Sequence, residues 1–87
     1  MHSKSLLSHD MATERRIHTG ALRATRQRLG LRASTVADDI GVSRGYYSRL
    51  EAGTRQATPG TIQALAERLG CTVDEITYPV KVKDAVA

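Results

Sequence analysis

Four glycines, Gly30, Gly41, Gly53 and Gly70, each follow an apolar pattern at helical spacing, and together they cut the chain into short helices. Before Gly30, the positions Ile17, Ala21, Leu22, Ala24 and Leu29 define one face of a helix over residues 17–29. Before Gly41, Val36, Ala37 and Ile40 repeat over Ala33–Ile40, a helix of about two turns. Ser43 is a good N-cap for a third helix, Arg44–Ala52, in which Tyr47 and Leu50 point the same way. Thr58 and Pro59 pair an N-cap with proline at the first helical position, and Ile62, Leu65, Ala66 and Leu69 form the fourth apolar face. Thr72 to Glu75 reads as a capping box opening a short fifth helix that ends near Thr77.

The ends of the chain read differently. Residues 1–16 lack periodicity and are rich in Ser, Thr, His and charge, so a flexible N-terminal arm is expected, with Met1 and Met11 as alternative starts. Pro79 blocks further helix, and Tyr78, Val80 and Val82 alternate with Pro79, Lys81 and Lys83, which reads as an edge strand or a disordered tail. The expected organisation is an all-α, five-helix domain over residues 17–78, between an arm and a short extended tail over residues 79–87. A chain of 87 residues builds one small domain, and one that buries only about 60–65% of its unfolded surface needs a regular core. No apolar run approaches the roughly 18 residues of a membrane helix. The single Cys71 forms no internal disulfide and has no second Cys or His at metal-ligand spacing. A soluble protein of the reducing cytoplasm is expected, with no membrane partner, no metal and no cofactor.

Charge is concentrated. Residues 15–55 hold nine Arg against Asp38, Asp39 and Glu51, a net +6, whereas the whole chain carries +4. Ten Arg against three Lys favours phosphate and base-edge recognition, because a guanidinium makes planar two-donor contacts that an ammonium cannot.

The twenty residues from Ala33 to Ala52 carry a specific pattern in Val36, Ala37, Ile40, Gly41, Val42, Tyr47 and Leu50. Ala37 suits a steep crossing of two helices, where a larger side chain would force them apart. Gly41 suits a sharp turn that needs positive φ. With Thr61, Ile62, Leu65, Ala66, Leu69 and Gly70 beyond, residues 21–76 resemble the helix-turn-helix domain of the lambda-repressor and Cro family, often called XRE-like. The resemblance implies five helices of which the third enters the major groove. It also implies a structural ion pair between Arg26 in the first helix and Glu51 near the end of the third. Two positions depart from the family pattern. Arg32 and Ala33 stand where a Ser or Thr cap and a phosphate-binding Gln are usual, and Tyr47 replaces an aliphatic residue, as a core side chain with its hydroxyl reaching the edge.

Carried over residue by residue, the resemblance implies base reading by Ser43, Arg44, Gly45, Ser48 and Arg49, with Arg44 and Arg49 as guanine readers. It implies backbone contacts from Arg32, Ala33, Tyr46, Thr54, Arg55, Gln56 and Thr58, the bare amides at the start of the second helix among them. Arg15 and Arg16 could add arm contacts in the minor groove, while Arg23 and Arg28 would face solvent. Recognition of a two-fold symmetric site on double-stranded DNA implies a homodimer, with Ile76, Tyr78, Val80 and Val82 at the dimer surface. The function implied is a sequence-specific transcriptional regulator that represses by occluding polymerase, with Asp38 and Asp39 available for an activating contact. The alternative is a helix-turn-helix used for protein interaction, as an antitoxin or complex subunit with a protein partner. An enzyme fits poorly. His2, His9 and His18 all precede the body of the first helix, and no nucleophile motif or Gly-rich phosphate loop is present.

Overall fold

A computed structural model describes residues 13–81, so the expectations for residues 1–12 and for Val82 and the end of the tail lie outside the described residues. The element order is β1 (Thr13–Ile17), α1 (Thr19–Arg28), α2 (Ala33–Ile40), α3 (Arg44–Ala52), α4 (Pro59–Leu69), α5 (Val73–Ile76) and β2 (Thr77–Lys81).

Local chemistry sets the helix ends. Ser43 Oγ accepts from Tyr46 N at 3.0 Å and Thr58 Oγ1 accepts from Thr61 N at 3.2 Å, each satisfying an amide that has no partner within its helix. At α5, Thr72 Oγ1 accepts from Glu75 N at 3.3 Å while Glu75 Oε2 accepts from Thr72 N at 3.0 Å. The Thr72 amide, with the Thr72 hydroxyl donating to the same Oε2 at 3.0 Å, holds the Glu75 carboxyl below its ordinary range. Gly41 ends α2 at φ +79°, and Val42 N then donates to Ala37 O at 3.0 Å, which closes the turn into α3.

The core is one cluster built from Leu22 of α1, Val36 and Ala37 of α2, Tyr47 and Leu50 of α3, Leu65, Ala66 and Leu69 of α4, and Ile76 of α5. Every helix contributes at least one buried side chain, so none of these short helices depends on its own propensity for stability. Ala37 is fully buried where α2 meets its neighbours, as a small residue at a close crossing should be.

The termini correct the expected picture. Residues 13–16 are not an arm but most of β1, which pairs antiparallel with β2 in the register Thr13↔Lys81 to Ile17↔Thr77. The five helices are therefore joined by a two-stranded ribbon that ties both ends of the domain together. The first helix begins at Thr19 rather than Ile17, because Ile17 extends into the ribbon and His18 caps α1, its Nδ1 accepting from Ala21 N at 3.0 Å. Thr77 opens β2 and is buried, with its hydroxyl donating to Val73 O at 2.6 Å and accepting from Arg15 Nε at 2.7 Å. Arg15 also meets Asp74 at 3.1 Å, so this arginine fastens the ribbon to α5.

Ile76 O accepts from His18 N at 2.9 Å, which sets the phase of the ladder. Bonded pairs then fall at Arg16↔Tyr78 and Glu14↔Val80, and Pro79 falls opposite Arg15 in a pair that exchanges no bonds. The N–H that proline lacks would have pointed outward, so the free edge of β2 is blunted against further strand pairing.

Candidate nucleic-acid interface

Helix α3 presents two unlike faces. Tyr47, Leu50 and Glu51 are buried, which turns Arg44, Gly45, Ser48 and Arg49 outward as an exposed stripe with i, i+4 neighbours in register. Gly45 leaves room for a longer residue. A Cβ built there would sit 3.9 Å from the nearest Arg49 guanidinium nitrogen, so the Arg49 side chain lies back over the bare position. Ser43 stands exposed at the N-cap, its oxygen accepting from Tyr46 N.

Arg44 is not free. It donates two hydrogen bonds to Asp38 of α2, Nη2 to Oδ2 at 2.8 Å and Nε to Oδ1 at 3.3 Å, across the turn of the motif. The Arg44 guanidinium holds the Asp38 carboxyl below its ordinary pKa, and Asp38 raises that of Arg44 in return. Asp39 is likewise engaged, with Arg68 Nε at 2.6 Å. Neither acid was legible as an arginine partner in the sequence, because six and twenty-nine residues separate the partners and only the turn geometry brings them together.

The backbone-contact candidates cluster around the ends of α2 and α3. Arg32 takes the N-cap position of α2 with extended backbone and no side-chain cap bond, and Ala33 follows half-buried, so the first amides of α2 stay unoccupied by any cap. Thr54, Arg55, Gln56 and Thr58 lie in the exposed loop beyond α3. The Arg55 guanidinium lies 5.4 Å from the centre of the Tyr46 ring, and the Tyr46 hydroxyl reaches Gln56 O at 3.5 Å, so the loop folds back onto α3. Among the described residues Arg32, Arg49 and Arg55 have no carboxylate within ion-pair distance.

Behind the stripe, a buried network fixes α3 to α1. Arg26 Nε donates to Glu51 Oε2 at 2.6 Å and Nη2 to Oε1 at 3.0 Å, while Nη1 donates to Leu31 O at 2.9 Å. The Tyr47 hydroxyl also donates to Glu51 Oε2 at 2.6 Å. It therefore ends inside the domain and not at the edge. Arg23, expected to face solvent, brings Nε to 3.4 Å from Glu51 Oε1. Burial works against the Glu51 charge, but Arg26, Tyr47 and Arg23 outweigh it and hold the carboxyl below its usual range. Burial and then the Glu51 bond push the Tyr47 phenol well above its ordinary pKa, so it remains a donor. The Tyr47–Glu51 bond was within reach of sequence reasoning, since the two stand four apart on one helix.

The expected dimer surface changes most. Ile76 is fully buried in the protomer's own core and is not available to a partner. Tyr78 is 45% exposed and Val80 half-buried, in a strand that pairs with β1 along one edge and whose other edge, which carries Pro79, has no partner strand among the described residues. Val82 lies outside the described residues.

A short helix with buried inner face, a glycine turn, and a second helix with an exposed arginine stripe together define a helix-turn-helix unit. Residues 22–76 match the helix-turn-helix family HTH_3, and the chain belongs to it. The chain is a DNA-binding domain of a family of regulators that are not enzymes. Among solved structures it is similar to the restriction-modification controller protein C.AhdI from Aeromonas hydrophila, with 32% identity, a TM-score of 0.63, and coverage of 66% of this chain and 86% of that one. It is also similar to the clp gene regulator ClgR from Corynebacterium glutamicum, with 30% identity, a TM-score of 0.62, and coverage of 64% of this chain and 60% of that one. No curated protein matches the chain. No helix among the described residues is long and apolar enough to cross a membrane.

Proposed function

We propose that this chain is a cytoplasmic, sequence-specific transcriptional repressor that binds a two-fold symmetric operator as a homodimer. The observation that carries the reading is the exposed stripe of Arg44, Gly45, Ser48 and Arg49 on α3, held at a fixed angle by the buried Arg26–Glu51–Tyr47 network. Arg49 reads guanine through its two-donor edge, and Arg44 does so on exchanging Asp38 for a base. Arg32, the bare amides from Ala33 onward, Tyr46, Thr54, Arg55, Gln56 and Thr58 hold the sugar-phosphate backbone and set the register of α3 in the groove. C.AhdI and ClgR, a controller protein and a gene regulator by description, support regulation as the biological role.

One such unit makes few base contacts, so two copies on half-sites about one helical turn apart supply useful specificity. The test is fluorescence anisotropy of the purified protein on labelled duplex from upstream of its own gene and on a scrambled duplex, across a salt series. Binding to the native duplex well separated from a strongly salt-dependent scrambled control supports the reading. Absence of binding to both at low salt rejects it in favour of a protein-interaction role. Sedimentation of the free protein at the mass of a monomer at every concentration rejects the preformed dimer.

A further inference from the structure

A cleft opens where the ribbon meets the end of α3, with a volume of 330 Å³. Its walls include Arg16 and Tyr78 from the ribbon, His18 at the cap of α1, Leu50 of α3, and Arg55 and Gln56 of the following loop, and no carboxylate among the described residues lines it. Arg16 and Tyr78 are directly opposite in the β1–β2 register, so one face of the ribbon delivers both. The His18 ring stands edge-on to Tyr78 at 6.4 Å, and with Nδ1 engaged by Ala21 N, Nε2 is the nitrogen left to donate when the ring is neutral.

Arg16 is the group the fold leaves unsatisfied. Its Nε is buried without any hydrogen-bond partner, the one such side-chain atom among the described residues, and its guanidinium otherwise reaches only exposed Glu14, at 3.2 Å. A buried donor without a protein acceptor is satisfied by a water or by an anion that reaches it. The neighbouring strand residue behaves in the opposite way. Arg15 is fully committed to Thr77 and Asp74 on the other side of the ribbon. Two arginines lining a cleft with no described carboxylate in its walls suit a small oxyanion, and Arg55 ties that cleft through its stacking on Tyr46 to α3 itself.

We infer that the cleft is a phosphate seat for the DNA strand that flanks the groove entered by α3, with Arg16 as its principal ligand. The inference rests on the DNA-binding reading above and extends the footprint from the helix-turn-helix to the ribbon. A helix lying in the major groove is bordered by a phosphate backbone on each side. The bare amides at the start of α2 face one border, and the cleft, beyond Gly53 at the far end of α3, faces the other. Arg16 then acts from a paired strand as a fixed backbone contact, not from a loose arm in the minor groove.

The test uses the full chain and its variants Arg16→Gln and Arg16→Lys, with labelled duplex from upstream of the gene and a scrambled duplex of equal length. Each phosphate contact contributes about 0.9 to the slope of log K against log salt. R16Q is expected to lower the slope by about 0.9 per protomer on both duplexes and to weaken binding about five-fold per protomer near 0.15 M salt. The ratio between the two duplexes stays the same, since no base is read. R16K restores the slope, which a merely structural loss would not allow, and the melting midpoint of R16Q matches the parent. A wild-type protein that binds while R16Q keeps its slope overturns the phosphate seat and leaves the DNA reading intact. Saturable, Arg16-dependent binding of inorganic phosphate with no change in DNA slope also overturns it, in favour of a free-phosphate site. A wild type that binds neither duplex refutes the DNA reading and this inference with it.

Discussion

Replacing Glu51 by Ala should be the most damaging single polar substitution in the domain, and the structure indicates by how much. The carboxylate side chain is 6% exposed and Arg26 is 13% exposed, so neither can recover its lost partner from water without opening the α1–α3 contact. Removing the carboxylate strands two guanidinium donors and the Tyr47 hydroxyl at once. Breaking a buried pair from one side costs about 3–5 kcal/mol. For a domain whose whole stability is about 5–15 kcal/mol, that is a large share. At about 4–8 °C per kcal/mol for a chain of this size, the melting midpoint should fall on the order of 20 °C.

The decisive assay is a double-mutant cycle with Arg26→Ala and Glu51→Ala, followed by far-UV circular dichroism in urea. Each single variant leaves one buried charge without its main partner, whereas the double variant removes both charges, so the combined loss should fall short of the sum by more than about 1 kcal/mol. Arg23→Ala, acting through a half-exposed side chain at 3.4 Å, should cost less than about 1 kcal/mol. The pH dependence has a fixed sign. Because the folded Glu51 carboxyl lies below its ordinary pKa of about 4.3, its contribution is fully present above that value and is lost as pH falls through the depressed one. E51Q should flatten that acid limb. Additive losses in the cycle, or an acid limb that E51Q leaves unchanged, would refute the argument that the network acts as a buried unit.

Arg49→Ala should cost about 1–3 kcal/mol on the native duplex and narrow its advantage over the scrambled one, measured by anisotropy at fixed salt. Asp38→Ala should strengthen binding to the scrambled duplex, because Arg44 no longer has to exchange a carboxylate for a phosphate. Unchanged affinity there would mean that Asp38 positions Arg44 without competing for it. Gly41→Ala meets open space but not an easy backbone, since φ is +79°, and should cost about 1–2 kcal/mol in urea melts with no change in the ratio between duplexes.

The helices were legible because their signals are local. Ser43, Thr58 and the Thr72–Glu75 box each act within four residues, and Gly41 and Gly53 mark their stops by a requirement of the backbone itself. The ribbon was not, because strand pairing is a property of two segments, and residues 13–17 hold a single apolar residue, Ile17, and no alternation to announce one. With β1 hidden, β2 looked like an edge in search of a partner molecule, and Ile76 looked like part of that surface when it is the last side chain of the core.

The same distinction governs the charge. A net +6 over residues 15–55 treats nine arginines as equivalent, yet Arg15, Arg23, Arg26 and Arg44 each face an acid within the fold. Among the described residues, the arginines with no carboxylate in reach include Arg32, Arg49 and Arg55, at the start of α2, on the outer face of α3 and in the loop beyond it. What makes the surface suited to DNA is therefore not the sum of charge but which guanidiniums the fold leaves without an acid. That is decided by pairs such as Arg26–Glu51 and Arg44–Asp38, whose members are separated by helices and turns that composition does not register.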